Sequence, residues 1–372
     1  MATPKISVMF VLSTLTGGGA ERTFLNILSH LDRAVFKPTL VLYRRSGPYL
    51  SLLRDDVTVV ELGVSRPRFS VVSLARCIRA QRPDLIISTM LYTNTATVVA
   101  SKMSGVSVPT IVRETNNQTA AGRGIRSPIE RIVRWSYRHA DKVVSLSHGV
   151  ERDLIQRYGL TANQVVTIYN PIDVAQITEL SRQTVPATPS WRDVRDVYKV
   201  LAVGRLERQK GFDLLIQAAA RLHFPWSLMI LGQGSEEEKL RALAARLGVQ
   251  SRVCFPGFQP NPYTYMAEAD LFVLSSRWEG FGHVVAEAMA CGVPVLATRC
   301  PSGPDEIIED DVDGRLCRPE SVSDLTFYMD DLLRSVETRV RYARAARTSV
   351  RRFDVSILVK TYEKLFYQLA GP

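Results

Sequence analysis

Short apolar runs alternate with longer amphipathic runs along most of the chain. The short runs are rich in β-branched residues and predict strands buried on both faces, as in a parallel sheet. In the first half they are Ile6–Leu12, Thr39–Tyr43, Asp84–Ser88, Thr110–Arg113, Lys142–Leu146 and Val165–Tyr169. The longer runs predict helices at Ala20–Leu31 and Ser127–His139, and Ser127, Pro128 and Glu130 form a capping box at the start of the second. This alternation predicts parallel sheets with helices on both faces.

The alternation stops at residues 181–197, where prolines and polar residues replace the periodic pattern, and it resumes at Tyr198–Val203. The later runs that predict strands or helices are Phe212–Leu222, Ser227–Leu231, Glu236–Leu247, Leu271–Ser275, Val293–Thr298 and Val355–Leu369. We therefore expect an α/β protein with two doubly wound domains. The expected N-terminal domain spans residues 1–183, the linker 184–197, the C-terminal domain 198–352 and a final helical segment 353–372.

Charge separates the two halves of this chain of 372 residues. Its 47 Lys and Arg exceed its 37 Asp and Glu, which gives a formal net charge of +10. The first 190 residues hold 23 basic and 13 acidic residues, whereas the remainder hold 24 of each. This surplus, mostly arginine, indicates an anionic partner of the N-terminal half: nucleic acid, a membrane surface or a phosphorylated substrate. Composition alone does not choose among them.

The cysteine pattern and the absence of long apolar runs indicate a cytoplasmic protein. None of the five cysteines forms a CxxC pair, which argues against a zinc knuckle or a disulfide scaffold and is typical of a reducing compartment. No run reaches the roughly 18 apolar residues of a membrane span. The apolar start of the chain leads into Gly17–Gly19 rather than a cleavage site, so it predicts a strand and not a signal peptide.

Gly17, Gly18 and Gly19 lie between the first predicted strand and the first predicted helix. Ligands bind at the carboxyl ends of strands in open α/β sheets, and glycines let backbone amides approach a phosphate or sugar closely. The segment matches neither GxGxxG nor GxxxxGK[ST], so neither a dinucleotide site nor a P-loop is supported. A glycine-rich turn without a ligand remains an open alternative.

In the corresponding turn of the second domain, the cations Arg205 and Lys210 flank the residues that lead to Gly211. Cations at this place suit a diphosphate and can neutralise the charge that develops on a phosphate leaving group. The alternative interpretation is a surface turn with solvated charges.

The most specific segment is Ser276–Glu287, which follows a strongly apolar strand. Glu279 lies in a glycine loop before the next predicted helix, and Glu287 lies about two helical turns below the start of that loop. A carboxylate in such a helix can accept both hydroxyls of a ribose. Because the other residues of Val284–Ala290 are apolar, we expect Glu287 to be buried with a polar partner, rather than to be an ordinary helix residue.

Together these segments resemble the retaining glycosyltransferases of the GT-B fold, and most of all the group 1 glycosyl transferases, also called glycosyltransferase family 4. The resemblance rests on the Arg205 and Lys210 turn, the EGFG loop with its E-x7-E spacing, the following AMACGVPVLAT, the GGGAER turn and Asn170–Asp173. It implies two Rossmann-like domains that face each other across a cleft. It also implies that the last helix crosses back to the N-terminal domain.

The resemblance assigns roles to individual residues. Arg205 and Lys210 would grip the nucleotide diphosphate, Glu287 the ribose hydroxyls and Glu279 the donor sugar. The remaining donor-binding candidates are Gly18, Gly19, Gly280, Phe281, Gly282 and His283, mainly through their backbone. The reaction would proceed with retention and without a metal or a cofactor, because the nucleotide sugar is itself a substrate. The Asp311–Asp313 segment has the DxD pattern of metal-dependent transferases, but its acidic turn predicts a solvated loop.

One departure from the family concerns the N-terminal domain. Many relatives have a histidine after a middle strand, close to the reacting sugar carbon, and residues 110–117 contain none. Asn116 is our candidate for that position and joins Glu279, Arg205 and Lys210 as an expected catalytic residue. Glu114, Arg113 and His148 are candidates for contacts with the acceptor or the sugar, although His148 also fits a turn or helix cap.

Arg131, Arg134 and Arg138 share one face of a predicted helix that also contains Trp135. Such a helix can lie on an anionic membrane, or it can be an ordinary surface helix whose apolar side packs on the sheet. The loop over residues 117–126 adds Arg123 and Arg126, and could receive a phosphorylated acceptor.

We therefore expect transfer of a hexose or N-acetylhexosamine from a nucleotide sugar, UDP-linked by family frequency, to an anionic glycan or lipid-linked saccharide. The setting would be bacterial surface polysaccharide or lipopolysaccharide-type synthesis, at the inner face of the cytoplasmic membrane. A sugar-nucleotide epimerase or hydrolase, or a non-catalytic sugar-nucleotide-binding protein, are the alternatives. Nucleic acid is not an expected partner, because no motif for it is present.

Overall fold

The computed structural model describes residues 4–122, 128–184 and 196–371. The predicted cap Ser127, Arg123, Arg126 and most of the predicted linker lie outside these ranges. The chain divides into two compact units. The first contains the residues up to Ile172 together with those from Val355 onward, and the second contains Asp173–Asp354.

The first unit is built on a seven-stranded parallel sheet with the order β3-β2-β1-β4-β5-β6-β7. Its strands are β1 (Ile6–Leu12), β2 (Phe36–Leu42), β3 (Thr58–Glu61), β4 (Leu85–Thr89), β5 (Thr110–Glu114), β6 (Lys142–Ser145) and β7 (Val165–Thr167). The strand order reverses between β1 and β4, where Val8 pairs with Leu85. In an open parallel sheet this switch point marks the edge where ligands bind.

Helices cover both faces of this sheet. They are α1 (Gly19–His30), α2 (Pro67–Gln81), α3 (Leu91–Ser104), α4 (Pro128–His139), α5 (His148–Tyr158) and, from the end of the chain, the final helix Val355–Ala370. Alternate strand residues face opposite sides, so Phe10 packs with α1 and the final helix while Met9 packs with α2. The rings of Phe10 and Phe366 meet edge-on at 6.1 Å. The final helix thus completes the core of the first unit, as the resemblance implies.

The second unit has a six-stranded parallel sheet with the order β10-β9-β8-β11-β12-β13. Its strands are β8 (Tyr198–Val203), β9 (Trp226–Leu231), β10 (Val253–Gly257), β11 (Leu271–Leu274), β12 (Val295–Thr298) and β13 (Arg315–Cys317). Its helices are α6 (Val174–Ser181), α7 (Phe212–Ala219), α8 (Glu237–Arg246), α9 (Tyr263–Glu268), α10 (His283–Cys291), α11 (Pro304–Ile307), α12 (Val322–Arg334) and α13 (Val336–Ser349). The order reverses between β8 and β11, so the loops that follow these two strands lie side by side.

The boundary between the units differs from the predicted one. The sequence places it after residue 183, whereas the structure places it between Ile172 and Asp173. The reason is α6, which packs against α9 and α10 of the second unit. The Asn261 side-chain amide also donates a hydrogen bond to the Leu180 carbonyl at 3.0 Å. The packing of the helix before the proline-rich segment decides which unit that helix joins.

Candidate functional site

The loops after β8 and β11 are joined at the switch point of the second sheet. The Arg277 amide donates to the Gln209 carbonyl at 2.8 Å, and the Ser275 hydroxyl donates to the Lys210 carbonyl at 2.9 Å. Gly211 has a φ of +62°, and a Cβ there would lie 2.1 Å from the Ser275 carbonyl oxygen. Only glycine therefore fits at this crossing, which holds the two loops together.

Lys210 and Glu279 form the central ion pair of this site. The Lys210 ammonium lies 2.6 Å from Glu279 Oε1, and the Ser276 hydroxyl donates to the same oxygen at 2.6 Å. Only 14% of the Lys210 side chain and 8% of the Glu279 side chain are exposed. The Lys210 stem packs against Gly204, where a Cβ would lie 3.1 Å from the lysine Cε. Since an ammonium has several N–H donors, Lys210 can keep Glu279 and still bind an anion.

Arg205 lies in the same turn but differs from Lys210 in its surroundings. It is exposed, and its guanidinium makes no hydrogen bond or ion pair with any residue that the structure describes. A planar guanidinium can bind a phosphate through two parallel hydrogen bonds. The turn after β8 therefore presents Lys210 as a positioned cation and Arg205 as a cation available to a ligand.

The loop after β11 turns sharply into α10. Gly282 has a φ of +93°, and a Cβ on Gly303 would lie 2.2 Å from the Phe281 carbonyl oxygen. The Phe281 side chain is buried and meets the ring of Phe353 edge-on at 5.3 Å. His283 is the first residue of α10, and the amides of a first helical turn lack partners within the helix. The packing of Phe281 fixes the backbone that the sequence assigns to the donor.

Glu287 is buried in α10, as the surrounding apolar residues predict, with 6% of the residue exposed. The Tyr263 hydroxyl donates to Glu287 Oε1 at 2.9 Å, and His283 Nε2 lies 3.6 Å from the same oxygen. Tyr263 belongs to α9 and was not predicted as part of the site, because no local spacing connects it with Glu287. It holds the carboxylate in one position within the unit.

Arg277 and Asp213 anchor the outer side of these loops. The guanidinium makes two hydrogen bonds to the Asp213 carboxylate, at 2.8 and 2.7 Å. Burial tends to raise the pKa of Asp213, but its bonds to Arg277 outweigh that effect and leave the pKa below its usual range. Behind Glu279, burial first and the carboxylate charge second raise the pKa of the Cys300 thiol. Cys300 is therefore an inert thiol, because thiolates are the reactive form.

The acidic turn Asp311–Asp313 closes on itself and pairs with neighbouring helices. Asp311 accepts a hydrogen bond from the Tyr342 hydroxyl at 2.6 Å, whereas Asp313 is buried and accepts one from the Glu309 amide at 2.8 Å. The prediction of a solvated loop is therefore wrong for Asp313, because its side chain is buried and caps the turn. Within the described ranges, His, Cys, Asp and Glu side chains form no group of three or more placed to hold a metal ion.

In the first unit the glycine turn leads directly into α1. Glu21 folds back over this turn, and a Cβ on Gly18 would lie 2.4 Å from its carboxylate oxygen. Gly19 is exposed at the first position of α1. The turn therefore has solvent-exposed backbone at Gly19, at the switch point of the first sheet. The neighbouring Glu21 carboxylate is buried against Gly18.

Arg113 is placed differently from the sequence-based expectation of a ligand contact. It is fully buried at the end of β5. Its guanidinium donates to the hydroxyls of Tyr362, Thr89 and Thr23 at 3.2, 3.0 and 3.3 Å, and also to the side-chain Oδ1 of Asn170. Desolvation lowers its pKa. Contact with an acceptor would require these bonds to break, so this geometry gives Arg113 a structural role in tying the final helix to the sheet.

Glu114 organises the loop that carries Asn116. Its Oε1 accepts bonds from the Thr115 amide at 2.8 Å, the Asn116 amide at 3.1 Å and the Gln118 side chain at 2.8 Å. Its Oε2 accepts one from the Tyr137 hydroxyl at 2.6 Å. Burial raises the pKa of Glu114, and these hydrogen bonds partly oppose the rise. Glu114 therefore positions the loop rather than facing a ligand.

Asn116 and His148 both follow neighbouring strands, Asn116 in the loop after β5 and His148 at the start of the helix after β6. Asn116 is half-buried. His148 is 59% exposed at the start of α5 and pairs with the Glu151 carboxylate at 2.9 Å. Burial tends to raise the pKa of Glu151, but hydrogen bonds from His148 and Thr167 outweigh it and lower the pKa. His148 is thus accessible at the ligand-binding edge, in a helix whose cap is Ser147.

Helix α4 turns a basic and partly apolar side outward. Val133 and Tyr137 pack on the sheet side, while Ile129, Ile132 and Trp135 remain 56, 50 and 40% exposed. The predicted basic residues Arg131, Arg134 and Arg138 are all exposed on this helix. Packing on the sheet therefore accounts for only part of the apolar residues of α4, and the others face solvent between arginines. No helix of the described residues is both long and apolar enough to cross a membrane.

Comparisons with known proteins agree with this architecture. The family model for Glycosyltransferase Family 4 matches residues 17–176, and the model for Glycosyl transferases group 1 matches residues 187–349. A Campylobacter jejuni protein, N-acetylgalactosamine-N,N'-diacetylbacillosaminyl-diphospho-undecaprenol 4-alpha-N-acetylgalactosaminyltransferase, is 32% identical over 60% of this chain and 59% of its own length. The lipopolysaccharide 1,6-galactosyltransferase of Salmonella typhimurium is 30% identical over 62% of this chain and 63% of its own length. The chain thus spans less than two thirds of each of these relatives.

Solved structures share the whole fold. Anabaena HepE, solved in complex with UDP, has a TM-score of 0.79 at 23% sequence identity. The alignment covers 98% of this chain and 100% of the HepE chain. WaaG, a glycosyltransferase involved in lipopolysaccharide biosynthesis, has a TM-score of 0.77 at 20% identity over 98 and 100% of the two chains. At such identities the likeness concerns the fold, which is the GT-B class with two parallel-sheet Rossmann-like domains. Since the two family models together span most of a chain with this fold, the chain belongs to the group 1, family 4 glycosyltransferases.

Proposed function

We propose that the protein transfers a hexose or N-acetylhexosamine from a UDP-linked donor, with retention, to a glycan or lipid-linked saccharide during synthesis of a bacterial surface polysaccharide or lipopolysaccharide. The observation that carries this proposal is the arrangement at the switch point of the second unit. There Arg205 and Lys210 follow β8, and Glu279, which pairs with Lys210, follows β11. The buried carboxylate of Glu287 lies in α10, the helix after β11. A cation pair beside a buried carboxylate matches the diphosphate and the ribose of a nucleotide sugar.

In this proposal each charge has a separate task. Arg205 and Lys210 bind the diphosphate and stabilise the negative charge that it gains as the sugar leaves. Glu287 accepts the ribose hydroxyls, and Tyr263 keeps its carboxylate in place. Glu279 contacts hydroxyls of the donor sugar while Lys210 and Ser276 hold it. Hydrogen bonds within the fold hold Lys210, Glu279 and Glu287 in place, so these three groups need little rearrangement for the reaction.

In this proposal the acceptor hydroxyl attacks the sugar from the same face that the leaving diphosphate occupies, which gives retention of configuration. The acceptor hydroxyl gives its proton to a phosphate oxygen, and the enzyme supplies position and charge. Glu279 already accepts bonds from Lys210 and Ser276, which makes it a weak nucleophile. No covalent glycosyl-enzyme intermediate is therefore needed. We also propose that the reaction is independent of a metal ion, because Arg205 and Lys210 supply the positive charge.

Similar proteins support the choice of substrates. The Campylobacter jejuni relative is named as a transferase that acts on a diphospho-undecaprenol-linked saccharide. One solved structure of the same fold contains UDP. We therefore propose UDP as the donor nucleotide and a lipid-linked or otherwise anionic saccharide as the acceptor.

We further propose that α4 lies against an anionic membrane at the cytoplasmic face. Its exposed Ile129, Ile132 and Trp135 would enter the interface, while Arg131 and Arg134 would face lipid phosphates. The only carboxylate on α4, Glu130, is buried and pairs with Arg157 at 2.9 Å, so it does not oppose this contact.

The proposal is tested by measuring the melting temperature with a panel of nucleotide sugars. A ligand that binds the folded state stabilises it, so the true donor should raise the melting temperature most. Product analysis then separates the alternatives. Transfer that depends on added acceptor supports a transferase, whereas an epimer or a free sugar formed without acceptor supports an epimerase or hydrolase. Binding without turnover would indicate a non-catalytic protein.

A further inference from the structure

Four arginines lie at the ligand-binding edge of the first unit, in the segments that follow β1, β2 and β3. They are Arg22, Arg44, Arg45 and Arg66, which we call the edge arginines. Backbone bonds continue the pairing of the strands beyond their ends, from the Arg44 amide to the Ser13 carbonyl at 3.1 Å and from Leu15 to Ser46 at 2.9 Å. The segment with Arg44 and Arg45 therefore runs beside the glycine turn.

The third segment is joined to the same edge. The Val64 amide donates to the Tyr43 carbonyl at 3.0 Å, so Arg66 follows closely on the other side of Arg44 and Arg45. Arg66 is the residue before α2. The tight fit of these segments depends on Gly47, where φ is +117° and a Cβ would lie 2.0 Å from the Leu15 carbonyl oxygen. The arrangement is thus fixed by the backbone.

Arg44, Arg45 and Arg66 are exposed and carry charges that the protein does not neutralise. Their side chains form no hydrogen bond or ion pair with the residues that the structure describes. Arg33 and Arg54 differ from them, because both pair with the Asp56 carboxylate, at 3.0 and 3.2 Å. At the carboxyl ends of β1, β2 and β3, the carboxylates are Glu21, which is buried in the glycine turn, and the exposed Glu61 at the end of β3. The edge therefore keeps a positive excess.

Arg22 belongs to the same group, but its guanidinium is restrained by Tyr49. It donates to the Tyr49 hydroxyl at 2.9 Å, and its carbon atom lies 4.3 Å from the centre of the same ring. Stacking on a ring limits the motion of an arginine side chain and lowers the entropy lost when it binds a ligand. The group thus combines one restrained guanidinium with three exposed ones.

We propose that the edge arginines bind a phosphate or diphosphate group of the acceptor. This inference rests on the proposed transferase function, which gives the donor phosphates their own cations, Arg205 and Lys210, in the second unit. Guanidinium groups suit phosphate because they form two parallel hydrogen bonds to it. The buried Arg113 is bonded within the fold, so it does not supply this contact.

The test measures binding of geranyl diphosphate and of inorganic pyrophosphate by calorimetry, with UDP present at saturation to fill the donor site. The wild type is compared with an Arg44→Ala/Arg45→Ala variant. We expect this variant to bind geranyl diphosphate at least about tenfold more weakly, since charge-assisted bonds to phosphate are lost. The control is Lys5→Ala/Lys37→Ala, which removes the same charge from exposed positions at the opposite edge of the sheet and should leave binding unchanged.

The outcomes separate the sources of the phosphate. Equal affinity for both probes, lost in the arginine variant, supports recognition of the phosphate groups alone, and tighter binding of geranyl diphosphate supports a lipid-linked acceptor. Unchanged affinity in the arginine variant, or no binding of either probe to the wild type, would overturn the inference. A loss of UDP affinity in the same variant would also overturn it, by assigning the arginines to the donor. Arginine-dependent probe binding without any binding of UDP would instead count against the proposed function.

Discussion

Lys210 Nζ lies 2.6 Å from Glu279 Oε1 although the two residues are separated by 69 positions in the chain. The contact joins the turn after β8 to the turn after β11, at the point where the strand order of the second sheet reverses. Neither residue is more than slightly exposed. Removing one partner therefore leaves the other charged in a poorly solvated place, which is unfavourable.

We expect Lys210→Ala to lower kcat by about 100- to 1000-fold, because it removes a cation that stabilises charge in the transition state. Steady-state kinetics with the donor identified by thermal shift measure the effect. Lys239→Ala is the matched control, since Lys239 makes an ion pair of the same length with Glu236 but is 74% exposed. A decrease in kcat of similar size in Lys239→Ala would contradict a specific role of Lys210 in stabilising the transition state.

Glu287→Ala should abolish discrimination between UDP and 2′-deoxy-UDP. The wild type is expected to bind UDP more tightly than 2′-deoxy-UDP. The deoxy nucleotide lacks one ribose hydroxyl, so the buried Glu287 carboxylate loses one hydrogen-bond donor. Titration calorimetry with the two nucleotides gives the ratio of their dissociation constants. Tyr263→Phe keeps the carboxylate but removes its 2.9 Å hydrogen bond, so it should reduce the ratio only in part. A ratio that Glu287→Ala leaves unchanged would contradict the assignment to ribose.

Gly211→Ala should lower the melting temperature far more than Gly248→Ala. Both glycines have positive φ values, +62° and +72°, and alanine is strained at either position. Only at Gly211 would the new Cβ meet a backbone atom, the Ser275 carbonyl oxygen at 2.1 Å, whereas nothing lies within 4 Å at Gly248. The difference between the two melting temperatures isolates the contact between the two loops. Equal losses would show that the contact contributes nothing.

Tyr362→Phe should destabilise the first unit by about 1–3 kcal/mol, because it leaves a buried Arg113 donor without its acceptor. Tyr367→Phe changes an exposed residue of the same helix and should alter the free energy of unfolding by less than about 0.5 kcal/mol. Urea denaturation of both variants measures the difference. The same variants should bind both the donor and the acceptor normally, which distinguishes a structural Arg113 from a ligand contact.

The stability contribution of Glu114 should fall as pH rises. Its pKa is raised in the folded state, so between the ordinary value of 4.5 and the folded value the native protein binds more protons than the unfolded chain. Stability is therefore lost as pH increases through the folded pKa. Glu114→Gln should remove this slope, whereas Glu61→Gln at an exposed position should not. Urea denaturation at several pH values above 4.5 gives the slopes, and a wild-type slope that Glu114→Gln leaves intact would contradict this account.

Part of the arrangement at the second sheet was predictable, because its determinants lie close together in the sequence. The lone Glu287 in an apolar run indicated a buried carboxylate, and the structure confirms its burial. Its partner Tyr263 was not predictable, because only the packing of α9 on α10 brings the two together. The spacing between Arg205 and Lys210 showed that both belong to one turn, but not that Lys210 would be held by Glu279.

The N-terminal half was harder to interpret because its outcome depends on distant packing. The identity of Arg113 suggested a ligand contact, yet Tyr362, 249 positions later, buries it. The periodicity of α4 predicted an amphipathic helix. In the structure Val133 and Tyr137 are buried, whereas its other apolar side chains remain exposed, namely Ile129, Ile132 and Trp135. The edge arginines lie in three separate segments, which follow β1, β2 and β3, so no spacing in the sequence connects them.

The central claim is that a nucleotide sugar binds at the switch point of the second unit through Lys210 and Glu287. Calorimetric titration of the wild type and of Lys210→Ala/Glu287→Ala with the preferred nucleotide sugar tests it most directly. The account predicts that the wild type binds with a stoichiometry near one and that the double variant, still folded by circular dichroism, loses at least about 100-fold in affinity. Equal affinity of the two proteins would contradict it.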